Sequence, residues 1–300
     1  MFVVTGASGN TGSVVAEQLL ASGQKVRVVG RDPKHLASLV QRGAEAFTAD
    51  VTDSAALASA FEGARGVYVL IPPNLGVPDV RASQENVANS IAAALETAKV
   101  SYAVALSSIG ADKPEKTGPV TGLHFFEEKL NRIAALNVLF VRAGYFMENL
   151  LAQVGIIQNF GIMGGPVRGD LRLPLIATRD IGAYAAEALA KLHFSGKQTR
   201  ELLGQRDVTY DEVAGVIGNA IGQPGLRYQQ LPAAQLKPAL TQMGMSSNMA
   251  DLLLEMSDSL NSGYMAALEP RSAQNTTPTS IEEFVQTDFV PRFQGKTAAA

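Results

Sequence analysis

The chain begins Met1-Phe2-Val3-Val4-Thr5-Gly6-Ala7-Ser8-Gly9-Asn10-Thr11-Gly12, and this stretch decides the fold. Phe2, Val3 and Val4 are a short apolar run, the pattern of a buried strand. The run leads straight into Gly6-x-x-Gly9-x-x-Gly12. Beyond it, Val14, Val15, Leu19 and Leu20 recur at helical spacing. Strand, glycine-rich turn and helix, in that order, are the setting of a dinucleotide site. Gly6 permits the tight turn, Gly9 lets the backbone approach a pyrophosphate, and Gly12 lets the helix pack against the strand. The helix start offers unpaired N–H groups and its positive dipole end to the phosphates. Ser8, Asn10 and Thr11 complete the expected cofactor contacts of the turn.

Outward from this stretch, strands and helices alternate. Lys25–Val29 reads as a second strand, after which Asp32-Pro33 supplies an N-cap and a proline at the first helical position. Ala44–Thr48 is a third strand, ending at Asp50-Val51. Thr52 or Asp53 caps a helix reaching about Phe61. Gly66–Ile71 is a fourth strand, closed by Pro72-Pro73, and Asp79–Ala98 is a long helix. Ala103–Leu106 is a fifth strand ending in Ser107-Ser108. Leu123–Ala135 is helical, and Val138–Arg142 is a sixth strand. Repeated βα units predict a doubly wound parallel sheet of Rossmann type. Ligands in such sheets sit beyond the carboxyl ends of the strands, here Gly6, Arg31, Asp50, Ile71-Pro72, Ser107 and Gly144.

Residues 1–150 therefore read as the dinucleotide-binding unit. Residues 151–300 read as a smaller, mostly helical region for substrate or partner, packed with the first as one unit. Asn159–Arg172 is glycine-rich and reads as loop or hairpin, a candidate moving part. Leu173–Ala177 reads as a strand, Asp180–Leu192 as a helix, and Thr209-x-x-Glu212 as a capping box. Ala234–Tyr264 reads as mostly helical with a break at Pro238, and Gln294–Ala300 as a frayed end.

Composition narrows the function classes. The chain has 300 residues, no cysteine, and a net charge of −3. Disulfides, thiolate catalysis and cysteine-ligated metals are excluded, which agrees with a cytoplasmic location. No basic field for nucleic acid is present. No apolar run reaches the length of a membrane span, and a strand opening at residue 2 predicts no signal peptide. Motifs for nucleotide, zinc or serine hydrolysis are missing, and no metal site is expected. Arg168-Gly169-Asp170 and Asn275-Thr276-Thr277 spell surface motifs that need a secretory context.

The residue ending the second strand selects the cofactor. An acid there binds a ribose hydroxyl, and an arginine accommodates a 2′-phosphate. Arg31 takes that place while Asp32 serves as a helix cap, which favours NADP(H) over NAD(H). His35, one turn on, is a second candidate for the phosphate.

Four further pieces complete a pattern: Val29-Gly30-Arg31-Asp32-Pro33, Ser107-Ser108, His124-x-x-x-Glu128-Lys129, and Arg142-x-Gly144-x-x-x-Glu148-Asn149. With the glycine turn and Asp50, they resemble the NmrA-like family of atypical short-chain dehydrogenases/reductases, and within it the bacterial NADPH-dependent quinone reductases. The resemblance implies that Asp50 and Val51 face adenine and that Lys129 binds the nicotinamide ribose. It places Ser107 at the serine of ordinary short-chain dehydrogenases. The tyrosine four residues before the lysine is replaced by Phe125, which has no proton to donate. His124 and Tyr145 are the remaining candidates for a proton donor. Arg142 and Asn149 are expected to tie the loop after the sixth strand. Three functions stay open: an NADPH-dependent reductase of quinones or similar small electron-poor acceptors, a non-catalytic NADP(H) sensor binding a regulatory protein, and an NADPH-dependent reductase of some other conjugated substrate. Homo-oligomerisation also stays open.

Overall fold

A computed structural model describes residues 1–295, so residues 296–300 of the expected frayed end lie outside the described residues. The first half runs β1 (Phe2–Thr5), α1 (Asn10–Ala21), β2 (Val26–Gly30), a 3₁₀ turn (Pro33–Leu36), α2 (Ala37–Gln41), β3 (Glu45–Thr48), α3 (Ser54–Phe61), β4 (Gly66–Val69), α4 (Val80–Thr97), β5 (Tyr102–Ser108), α5 (Thr121–Asn131) and β6 (Asn137–Ala143). Asp53 and Asp79 cap α3 and α4 by accepting first-turn amides.

The second half runs β7 (Tyr145–Phe146), α6 (Gln153–Phe160), β8 (Met163–Gly165), β9 (Leu173–Ile176), α7 (Thr178–Lys191), β10 (Lys197–Leu202), β11 (Asp207–Val208), α8 (Tyr210–Ala220) and β12 (Tyr228–Gln230). It continues through α9 (Ala233–Gln242), α10 (Ser247–Asn261), α11 (Ile281–Phe284) and α12 (Val290–Phe293). The Thr209 capping box forms with both bonds at 3.0 Å.

Seven strands make one parallel sheet in the order β10-β6-β5-β4-β1-β2-β3. Successive residues of each strand feed opposite faces. Val4, Val28 and Tyr68 pack with Leu19 of α1 and Ile181 and Leu189 of α7. Val3, Val67 and Ala105 pack with Leu57, Ile91 and Phe126 of α3, α4 and α5. Burial on both faces explains why these strands read as continuous apolar runs. Strand order reverses between β1 and β4, which opens a crevice beyond their carboxyl ends. A third core joins Met147, Met163, Tyr210, Ile217, Phe284 and Phe289. It lies under the small β11-β9-β7 and β12-β8 sheets.

Several expectations are corrected. The seventh strand, β10, was not anticipated. Its sequence is Lys197-Gln198-Thr199-Arg200-Glu201-Leu202, and its first three residues are exposed on a sheet edge, so no apolar pattern marks it. From beyond residue 150, α7 and β10 return to the first sheet, so the second half contributes to the dinucleotide-binding unit. Residues 159–172 are largely loop and not a hairpin: they take in the end of α6 and the short β8, which pairs parallel with β12. Pro238 lies inside α9, exposed to solvent, and does not break it. The break falls at Met243–Ser246, where Gly244 adopts φ +92°. Among the described residues, no helix is long and apolar enough to cross a membrane.

Candidate active site

Gly6 turns the chain at the end of β1 with φ +60°. The Gly9 amide closes the turn on the Gly6 carbonyl at 2.9 Å, and α1 starts with Ser13 N–H donating to Gly9 at 3.0 Å. A Cβ on Gly12 would collide with the Gly6 carbonyl oxygen. Gly12 thus lets the helix fold over the turn itself. Gly9 is different: its backbone is extended, it is exposed, and an added Cβ would meet only the Gly6 oxygen, at 3.3 Å. No side chain caps this helix, so the amides of Asn10, Thr11 and Gly12 are left without an intrahelical partner. Open amides beside an uncovered glycine fit a pyrophosphate. Ser8 and Asn10 are exposed beside them, whereas Thr11 is buried and accepts a hydrogen bond from Tyr68 at 2.9 Å. Thr11 can reach a phosphate through its amide.

At the next strand end, Asp32 accepts the Lys34 amide at 2.9 Å. Its carboxylate is spent as a cap, as its place before Pro33 indicated, and Arg31 stays exposed. Asp50, beyond β3, accepts both the amide and the hydroxyl of Thr52, at 2.9 and 2.7 Å. Those two bonds, with Arg31 nearby, hold its carboxyl below the usual range. The structure so gathers the glycine turn, Arg31 and Asp50 at adjacent strand ends. Val51 is half-buried against the α3–α5 core, and His35 is exposed on the 3₁₀ turn. Ile71 and Pro72 are half-buried just past β4, which ends at Val69, two residues earlier than expected.

On α5, Lys129 lies one turn beyond Phe125, with Nζ 4.8 Å from the ring centroid, a cation–π distance. Its chain neighbour Glu128 faces His124 and Arg132 instead. Ser107 departs from its expected role. Its hydroxyl donates to Glu127 at 2.5 Å, and the same carboxylate receives Arg142 in bidentate fashion at 2.9 and 2.6 Å. Arg142 therefore ties β6 to α5 and not to the loop after β6. Sequence reasoning missed Glu127. The available signal was a lone acid on an apolar helix face, between Phe126 and Leu130, and a lone arginine in an apolar strand.

The two proton-donor candidates have other work. His124 Nδ1 lies 2.8 Å from the Ala111 carbonyl, joining α5 to the segment after β5. A carbonyl only accepts, so Nδ1 carries the proton. Burial pushes the Tyr145 phenol up, opposed by hydrogen bonding with Tyr210 and Asn149, so it is a weaker acid than free tyrosine. Tyr210 in turn stacks on Tyr228 at 4.8 Å. The site thus has a phosphate cradle, an arginine at the selecting position and an ammonium over an aromatic ring. The usual tyrosine hydroxyl is missing, and the usual serine hydroxyl is turned away.

The NmrA-like family model matches residues 1–285. The chain belongs to the NmrA-like family. An NAD(P)H azoreductase of Xenophilus azovorans is 29% identical over 270 residues, 89% of this chain and 90% of that protein. Quinone oxidoreductase 2 of Escherichia coli strain K12 is 29% identical over 261 residues, 85% of this chain and 86% of the relative. The crystal structure of an Escherichia coli NADPH-dependent quinone oxidoreductase with NADPH superposes with a TM-score of 0.80 at 25% identity. It covers 96% of this chain and 100% of its own. This NmrA-like chain therefore has the Rossmann-type α/β fold expected from its first strand and turn.

Proposed function

We propose that this NmrA-like protein is an NADPH-dependent oxidoreductase that reduces quinones or similar electron-poor acceptors. Its relatives support an NAD(P)H-dependent oxidoreductase. The observation that carries the finer reading is the pairing of Lys129 with Phe125 while Ser107 is bound to Glu127. A site so built holds no ready acid for a developing alkoxide. It suits acceptors whose reduced anion is delocalised and is stabilised by position and charge.

The turn Gly6–Gly12 would hold the pyrophosphate, Arg31 and His35 the 2′-phosphate, and Asp50 and Val51 the adenine side. Ile71 and Pro72 would line the path to the nicotinamide end, where Lys129 would bind the ribose and lend positive charge. When bound, the cofactor supplies the hydride. NADPH consumption measured across quinones, azo dyes and simple aldehydes tests the reading. Turnover of quinones without aldehydes is expected, and efficient aldehyde reduction would overturn it. The sensor alternative takes residues 159–172 as its moving part, a segment in which only the end of α6 and the β8 strand paired with β12 are regular structure.

Two substitutions test the assigned roles. Arg31→Ala should weaken NADPH binding by about 1.5–3 kcal/mol, the worth of a charge-assisted bond, and leave NADH binding nearly unchanged. Equal losses for both cofactors would make Arg31 structural. Lys129→Ala should lower kcat/KM roughly 10–100-fold, because one charge-assisted contact to the ribose is lost. Steady-state kinetics with a quinone at several NADPH concentrations reads this directly.

A further inference from the structure

Tyr68 stands on β4, beside β1 at the point where the strand order reverses. Its side chain is wholly buried. Its hydroxyl donates to Thr11 Oγ1 at 2.9 Å, and its carbonyl accepts the Thr5 hydroxyl at 3.1 Å. Thr5 immediately precedes Gly6, and Thr11 immediately precedes Gly12. One residue thereby grips both flanks of the glycine turn. On the other side of α1, Gly182 of α7 seats so closely that a Cβ there would lie 2.9 Å from the Thr11 carbonyl oxygen and 2.6 Å from Val14. The start of α1 is held from below by β4 and from the side by α7.

We propose that Tyr68 is a positioning residue of the pyrophosphate site, its hydroxyl and carbonyl clamping the turn so that the first-turn amides of α1 converge on one phosphate position. This rests on reading the glycine turn as that site. Core stability alone does not call for the arrangement. A phenylalanine and a valine would fill the same space with no polar group to satisfy, and such paired replacements are close to neutral for folding. What the hydroxyls add is direction. They fix where the helix start lies relative to β1, and amide donors act more strongly on a phosphate when they are preorganised. Burial raises the phenol above its ordinary value, so the hydroxyl remains a donor throughout the working pH range.

The test compares Tyr68→Phe, Thr11→Ser, Thr11→Val and the double variant Tyr68→Phe/Thr11→Val, with NADPH as the titrant and thermal unfolding alongside. Tyr68→Phe should raise the Kd for NADPH about three- to tenfold, the worth of one neutral hydrogen bond. Thr11→Ser keeps the acceptor oxygen and should keep wild-type affinity. The double variant should unfold near the wild-type temperature yet bind as weakly as Tyr68→Phe. Wild-type affinity in the double variant would overturn the proposal. So would weak binding by Thr11→Val combined with normal binding by Tyr68→Phe, which would mean that Thr11 touches the phosphate itself. A Gly9→Val control separates the two levels. If it binds NADPH normally, the site reading fails. If it loses binding while the Tyr68 variants keep theirs, only the clamp fails.

Discussion

Gly9→Val should abolish dinucleotide binding and leave the protein folded. The mutated position is exposed, and its extended backbone accepts any L-residue. The new Cβ would meet the Gly6 oxygen at 3.3 Å, a contact the turn absorbs with a slight shift. The rest of the branched side chain would project where the phosphates must approach the amides of α1. Losing the pyrophosphate contacts removes several hydrogen bonds at once, each worth about 0.5–1.5 kcal/mol or more when charge-assisted. A loss of at least about 100-fold in NADPH affinity follows. Fluorescence titration with circular dichroism as the folding control checks it. Near-wild-type affinity would place the phosphates elsewhere.

Arg142→Met should be the most destabilising of the substitutions considered, by about 3–5 kcal/mol. The Glu127 carboxylate is buried, and it is held by two bonds from Arg142 and one from Ser107. Removing the guanidinium strands a negative charge between β5, β6 and α5. Adding Glu127→Leu should recover much of the loss, because an apolar pair leaves no uncompensated charge. Urea unfolding of the single and double variants measures both effects. A single variant within 1 kcal/mol of wild type would show that water already relieves the pair. Because α5 also carries Phe125 and Lys129, the single variant should lose turnover before it loses its fold.

The features readable from the sequence are those set by local interactions. Gly6, Gly9 and Gly12 announce themselves because a turn and a helix start are specified within a dozen residues. Asp32, Asp53 and Thr209 do so because capping is a dialogue with the next turn. The apolar strands were readable because burial on both faces leaves unbroken runs. β10 was invisible for the opposite reason. It is a polar edge strand, placed by pairing with β6 some sixty residues earlier in the chain, and its own residues carry no record of that partner.

The candidate site divides in the same way. Arg31 and Asp50 were found from strand ends. The redirection of Ser107 to Glu127 and the grip of Tyr68 on Thr11 span 20 and 57 residues, and a linear pattern says nothing about which of two polar groups a hydroxyl will choose. Pro238 does not end α9, because the rule against proline in helices presumes a bond and a neighbour worth losing. On an exposed helix with no buried residue, little is lost.

The return of α7 and β10 to the first sheet also governs how the chain emerges during synthesis. When residue 150 leaves the ribosome, the six strands already made lack the helix that covers one side of α1 and the strand that closes β6. Thr11 and Val14, which Gly182 of α7 closes over in the finished fold, are left uncovered, and the β6 edge, Val138-Leu139-Phe140-Val141, offers open amides and carbonyls to any passing strand. The nascent protein stays in that adhesive state until another fifty residues have been added. The dinucleotide half is therefore not a module that evolution or an experimenter can lift out. Its completion is written late in the chain, and recombination with another protein would have to carry residues 178–202 along with the glycine turn.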